Sequence, residues 1–306
     1  KMQHIVIIGA TSVMAEHCAR LWVRAGPVRL TLVGRDEART QRVADDLSVR
    51  SPQSKVQVMT TDFVNAGAIA HTVSAIAALA PVDVVLIAHG VLSDQAQCQD
   101  DVLACDAALQ INGVSPVLFA EAFAKPMVIA NHGSIAIIGS VAGDRGRKTN
   151  YVYGAAKGLV SRYAQGMQHR LAQTNVKVVL IKPGPTDTPM TSDLKARGQK
   201  MAPVEQVAQD IVKGIAAGKL VVYTPGIWRV IMFTIIHLPN FIFNKINIRK
   251  VGPASGLIWS KEKARVESKD VESVEEVLVL DPNTPEQTFG AITADKVYLL
   301  STDLGD

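Results

Sequence analysis

Three cysteines in 306 residues, Cys18, Cys98 and Cys105, are odd in number and lack metal-ligand spacing. That excludes a disulfide framework and a cysteine metal site, and it is the usage of a protein from a reducing, cytoplasmic compartment. Helix-turn-helix, zinc-finger and RNA-binding signatures are also missing, so nucleic acid is not an expected partner. No secretion signal is expected, because the first apolar run, 4–8, is too short and leads straight into a glycine turn. No internal repeat or low-complexity linker divides the chain. Lys1, ahead of Met2, is read as extraneous and left out of fold reasoning.

The net charge of +4 hides an asymmetry. Residues 261–306 hold five Lys/Arg and eleven Asp/Glu, a net −6, so residues 1–260 carry +10. A body that basic favours anionic partners, such as a phosphorylated cofactor or an anionic lipid surface. Within it, short β-branched runs at 4–8, 28–33, 55–59, 82–88, 133–139, 176–181 and 219–222 alternate with helix-like stretches near 13–25, 36–50, 65–80, 101–124, 151–174 and 203–217. Several strands are apolar throughout, as in a parallel sheet covered on both faces. The expected fold is α/β over residues 1–223: a Rossmann-like, doubly wound parallel sheet of about seven strands with helices on both faces. Its ligands are expected outside the carboxyl ends of the strands.

The cofactor-binding signal is degraded. Gly9 ends the first strand, and Thr11, Ser12, Val13 and Met14 lead into a helix whose N-terminal N–H groups suit a pyrophosphate. The later glycines of the usual fingerprint are Val13 and Ala15 here, so a plain strand-to-helix turn is an equally good reading. After the second strand, where NAD sites place a carboxylate, stand Gly34 and Arg35. Glycine leaves room and arginine supplies charge for a 2′-phosphate, so NADP(H) is expected ahead of NAD(H). Asp36 has its own task as an expected helix N-cap. Asp62, with Phe63 beside it, follows the third strand and reads either as an adenine contact or as a helix cap.

The strongest signal is Tyr153-Gly-Ala-Ala-Lys157 with Ser140 upstream and Asn112 in the long helical stretch before it. A Tyr and a Lys four apart share a helix face. At ~4 Å the ammonium favours the phenolate by about 4 kcal/mol, enough to bring the phenol toward neutrality for proton exchange with a carbonyl oxygen. Tyr151 is offset by six and falls on another face. In these residues the chain resembles the short-chain dehydrogenase/reductase family, from residue 3 to about 220. The resemblance implies a tetrad: Tyr153 as general acid/base, Ser140 on the substrate oxygen, Lys157 on the phenol and the nicotinamide ribose, and Asn112 anchoring a relay water. It also implies cofactor contacts at Ala88, His89 and Gly90, which stand where the family has Asn-Ala-Gly. A further loop, Pro183-Gly184 with Thr186 and Thr188, would meet the nicotinamide amide. Homo-oligomers through the helices near 101–124 and 151–174 are implied as well.

The stretches 90–95 and 140–153 resemble one subgroup, the decaprenylphosphoryl-2-keto-pentose reductases, which complete an epimerisation of a lipid-linked sugar begun by a flavin oxidase. Arg145 and Arg147 then read as contacts to a substrate phosphate, or else as salt-bridged loop residues. Residues 224–250 are apolar and aromatic, with Arg229, His237, Lys245, Arg249 and Lys250 and no acid. Pro239 cuts the stretch into pieces too short to span a bilayer. A helix lying in a membrane interface, a wall for a polyprenyl chain and a helix packed on the core all fit it. The acidic extension 251–306 shows strand-like runs at 277–280 and 297–300 around a turn at 281–283, and its role stays open.

The reading is therefore an NADPH-dependent reductase acting on a ketone of a lipid-linked sugar, peripheral on the inner face of a membrane. A reductase of a soluble 3-oxoacyl, steroid-like or aromatic ketone, and a non-catalytic nucleotide-binding scaffold, are the alternatives.

Overall fold

The computed structural model describes residues 2–196, 198 and 200–245, with three strands at 276–278, 287–292 and 297–302. It falls into two units: residues 1–190 with 202–232, and residues 191–201 with 233–306. The first unit carries a seven-stranded sheet in the order β3-β2-β1-β4-β5-β6-β7, every pairing parallel. The strands are β1 (Gln3–Ile8), β2 (Val28–Gly34), β3 (Lys55–Thr60), β4 (Val84–Ile87), β5 (Gly133–Ile138), β6 (Val176–Pro183) and β7 (Val221–Thr224). β1 pairs with both β2 and β4, so the winding reverses there, and a crevice opens at the carboxyl ends of those strands.

The apolar runs sit in the interior as their composition requires. Ile5, Val6, Ile7 and Ile8 are each at most 1% exposed, and their alternate side chains feed two different cores. On one face, α1 (Val13–Ala25), α2 (Glu37–Arg50) and α9 (Val204–Ala216) cover Ile5, Ile7, Leu30 and Leu32. On the other, α3 (Ala66–Leu79), α6 (Ser115–Ala130) and α7 (Tyr151–Arg170) cover Val6, Ile8, Val85 and Ile137. Two short helices, α4 (Gln95–Asp100) and α5 (Val102–Leu109), precede α6.

Most expected elements appear within a residue or two of their expected ends, and the exceptions have local causes. β7 begins at Val221 rather than 219, because Lys219 N bonds Gly214 O and so still closes α9. β4 is trimmed to Val84–Ile87, although Ala88 N continues the ladder to Ile8 O. The long helix passes the expected end at 124 and runs to Ala130, enclosing Pro126. Asp36 caps α2 as expected, its carboxylate accepting from Arg39 N at 2.9 Å. Asp62 does not cap α3: Asn65 does, and Asp62 Oδ1 accepts from Val64 N in a turn of its own.

The apolar stretch after β7 forms α10 (Trp228–His237) and α11 (Asn240–Phe243), with Pro239 capping the second. Neither piece is long enough to cross a bilayer. The described helix that meets that length and apolarity is Val102–Ala130, a core helix of the sheet layer. Residues 191–196 hold a short helix, α8 (Ser192–Ala196). Within the second unit, β8 (Glu276–Leu278), β9 (Gln287–Ile292) and β10 (Val297–Thr302) pair antiparallel in the order β10-β9-β8. β9 was not expected. The turn at 281–283 and the remainder of 246–306 lie outside the described residues.

Candidate active site

Each site residue expected from the sequence follows the carboxyl end of a strand or sits on a helix facing that edge. Gly9 follows β1, Arg35 follows β2, Asp62 follows β3, and Gly90 follows β4. Ser140 follows β5, while Pro183-Gly184 closes β6. Gly9 has φ +82, a conformation that side-chain-bearing residues rarely adopt. A Cβ on it would also come within 2.7 Å of His89 Cβ and main-chain N. The turn thus depends on this glycine even though Val13 and Ala15 replace the later ones.

The cradle fits a dinucleotide. No side chain caps α1, since Ser12 makes no cap bond, and its first-turn N–H groups remain for an anion. Arg35 is exposed at the crevice, close enough for its charge to disfavour protonation of His89. The Asp36 carboxylate is committed to the α2 cap, which removes the main objection to a phosphate beside Arg35. His89, expected among the cofactor contacts, turns its imidazole into the core. Nε2 lies 2.8 Å from Ser115 Oγ, and the ring packs edge-on to Phe63 and Phe119. Burial holds its pKa down at about 3, so it is neutral. Phe63 is likewise a core residue, 2% exposed.

Asn112, Ser140, Tyr153 and Lys157 are brought together by close backbone approach. Gly143, in the 3-10 turn Val141–Gly143 after Ser140, lies against the main chain of Lys157 and Gly158. Gly154 lies against Ala142 O, and Gly113 against the backbone of Ala156. Three glycines thus press the Ser140 turn and the Asn112 segment onto α7. Asn112 sits in a π-helical turn, Gln110–Val114, between α5 and α6. Such turns appear mostly as single insertions, frequently at functional sites. Its Oδ1 accepts from Val91 N at 2.8 Å, and Nδ2 donates to Ala108 O at 3.0 Å. Gly90 keeps the space between Asn112 and Lys157 open: a Cβ there would lie 3.0 Å from Asn112 Oδ1 and 3.6 Å from Lys157 Nζ.

The electrostatics correct one expectation. Lys157 Nζ is 5.8 Å from the Tyr153 ring centroid and donates to Ile138 O at 3.0 Å, so it is not bonded to the phenol. Burial raises the Tyr153 pKa, and the Ser140 hydroxyl beside it pulls it down. Burial also lowers Lys157, to about 8. At neutral pH the phenol is therefore protonated and the ammonium charged. Desolvation of the phenolate outweighs an attraction that at this distance is diluted by the surroundings.

Further residues build the site: Gln95, Ser93 and Trp228 are not among the expected contacts, whereas Thr186, Thr188, Arg145 and Arg147 are. Gln95 Oε1 accepts from Val152 N at 3.0 Å and so caps the start of α7 next to Tyr153. Ser93 accepts from Asn112 Nδ2 at 3.4 Å. Trp228 packs its indole against Gly184. Thr186 is buried and donates to Gly184 O at 3.0 Å, stiffening that loop, while Thr188 is half-buried. Arg147 reaches Met232 Sδ at 3.7 Å, and both Arg145 and Arg147 are half-buried.

Residues 3–199 match the family described as short chain dehydrogenase. An uncharacterized oxidoreductase of Mycobacterium tuberculosis is 28% identical over 245 residues, which span 79% of this chain and 96% of its own. An uncharacterized oxidoreductase of Streptomyces coelicolor is 26% identical over 242 residues, 79% of this chain and 95% of its own. Among solved structures, a short-chain dehydrogenase from Sphingobium yanoikuyae in complex with NADPH has a TM-score of 0.68 at 21% identity, covering 78% of this chain and 97% of that one. A bulky-bulky ketone specific alcohol dehydrogenase from Comamonas testosteroni gives 0.65 at 21% identity, covering 78% and 96%. The two structures share the fold with this chain.

Proposed function

The chain belongs to the short-chain dehydrogenase family of oxidoreductases, and from that premise we propose an NADPH-dependent carbonyl reductase with Tyr153 as proton donor. The observation that carries it is Tyr153, half-buried and protonated at neutral pH beside the Ser140 hydroxyl, with Lys157 and Asn112 on either side of the gap at Gly90. A ketone whose oxygen meets both hydroxyls is held by Ser140 and receives its proton from Tyr153. A bound nicotinamide supplies the hydride. The gap beside Asn112 Oδ1 and Lys157 Nζ has polar groups to hold the relay water, and the lysine lies where it can meet a ribose hydroxyl. Thr11, Ser12, Val13 and Met14 would hold the pyrophosphate, Arg35 the 2′-phosphate, and Asp62 the adenine. Pro183, Gly184, Thr186 and Thr188 would hold the nicotinamide amide.

Titration with NADPH and NADH, read by nicotinamide fluorescence, tests the cofactor assignment. Arg35→Ala is expected to weaken NADPH about 10- to 100-fold, the worth of a charge-assisted contact, and to leave NADH unchanged. Equal weakening of both nucleotides would remove Arg35 from the 2′-phosphate.

For the substrate we infer a bulky, phosphorylated, lipid-linked keto-sugar, supplied by a flavin-dependent oxidase. Support comes from Arg145 and Arg147, two and four residues beyond Gly143, the last residue of the serine turn, and from α10, which leaves Val230 and Phe233 58% and 66% exposed. Contact of that helix with the inner face of a membrane follows from the same pattern, and pairing of two copies through the α6 and α7 faces follows from the family. The protein is expected to float with anionic phospholipid vesicles, and Val230→Glu/Phe233→Glu to abolish flotation. A wild-type protein that stays with the soluble fraction moves the reading to a soluble 3-oxoacyl, steroid-like or aromatic ketone.

A further inference from the structure

Three segments at the nicotinamide side of the sheet meet at one carboxylate. Asp144 ends the turn that Ser140 begins, Lys182 immediately precedes Pro183-Gly184, and Tyr223 lies in β7 beside them. Asp144 accepts from Lys182 Nζ through Oδ1 and from the Tyr223 hydroxyl, at 2.9 Å, through Oδ2. The Lys182 ammonium also stands 5.4 Å from the Tyr223 ring centroid. The side chains of Asp144 and Lys182 are 4% and 7% exposed, so this charge pair is interior.

Stability is a poor reason for such a pair. Desolvating two charges offsets most of their attraction, and apolar residues of similar volume often serve as well. What the pair and its tyrosine add is direction: two charge-assisted bonds with defined geometry hold the turn after β5 at a fixed spacing from the ends of β6 and β7. The loop beyond Lys182 is stiffened on its other sides as well. Gly184 N donates to Thr224 O at 3.0 Å, and Trp228 closes over Gly184. None of these contacts reaches the tetrad directly. All of them fix where Ser140 stands relative to the loop that would carry the nicotinamide amide.

We propose that Asp144, with Lys182 and Tyr223, is a positioning group that sets the spacing between Ser140 and the Pro183-Gly184 loop. This rests on the reductase reading above. Its function is to keep the carbonyl oxygen and the hydride-bearing face in register, so its loss acts on turnover rather than on cofactor affinity.

The test compares Asp144→Asn, which leaves Lys182 buried without its counter-charge, with Asp144→Asn/Lys182→Met, which removes the buried charges altogether. Thermal midpoint, NADPH affinity by fluorescence, and kcat and KM on a panel of ketones are measured for both. The single variant is expected to lose stability. The double variant is expected to recover the wild-type midpoint and bind NADPH within about threefold of wild type, yet to keep a kcat at least about tenfold low, as misplacement of reacting groups predicts. Tyr223→Phe, which keeps the ion pair and drops one bond, is expected to show a smaller loss of kcat with KM unchanged. A double variant that recovers both stability and kcat overturns the proposal, because the pair is then only a packing element. A wild-type protein that binds no NADPH and reduces none of the ketones sinks the reductase reading first, and the positioning role with it.

Discussion

Tyr153→Phe is expected to lower kcat for NADPH-dependent ketone reduction by about 10²- to 10⁴-fold, the usual contribution of a positioned general acid. That is roughly 3–5 kcal/mol of transition-state stabilisation. NADPH affinity and the thermal midpoint should stay close to wild type, since the ring remains and only the hydroxyl beside Ser140 goes. Near-normal turnover would remove the phenol from the chemistry. The pH profile adds a second check. Burial lifts the Tyr153 pKa and lowers Lys157 to about 8, so on the alkaline side the lysine loses its proton before the tyrosine does. Reduction should therefore fall as pH rises through about 8 in kcat/KM, which reports the free enzyme. An alkaline limb that persists unchanged in Lys157→Met would assign it to another group.

That inversion shows where sequence reasoning was strong and where it stopped. The four-residue offset of Tyr153 and Lys157 gave the shared helix face correctly, because 3.6 residues per turn leaves little choice. It did not give the distance or the desolvation, which depend on how deeply α7 is set against β5. The sheet is legible for a similar reason: uninterrupted apolar runs such as 5–8 and 178–181 have no soluble alternative to burial on both faces. The start of β7 differs from the expected 219 because Gly218 and Lys219 close α9 by backbone bonds that hydrophobicity does not register. The family resemblance alone places His89 among the cofactor contacts, and its side chain serves the core through Ser115. Asp144, Lys182 and Tyr223 stayed invisible because three polar residues 79 positions apart at the extremes have no local pattern to betray their meeting.

Gly143→Ala is expected to be the most damaging single-methyl change in the site. A Cβ at Gly143 would lie 2.6 Å from the carbonyl carbon and oxygen of Lys157 and 2.8 Å from Gly158 N. All three are main-chain atoms of a helix, so no rotamer change relieves the clash. Either the Ser140 turn lifts away from α7 or the helix shifts, and both separate Ser140 from Tyr153. The neighbouring contact at Gly154, whose Cβ would come 2.9 Å from Ala142 O, leaves no slack on the other side. Overpacking of this kind costs about 1–3 kcal/mol in stability. The loss of alignment by an ångström should lower kcat about 100-fold beyond that. Gly146, in the same loop, has nothing within 4 Å of its would-be Cβ, so Gly146→Ala is the matched control and should behave as wild type. If Gly143→Ala turns over normally, the tetrad is not held by this glycine contact. If Gly146→Ala is equally impaired, the loop's flexibility rather than its packing on α7 is what catalysis needs. The contrast between two glycines three residues apart thus separates proximity from flexibility as the physical basis of the site.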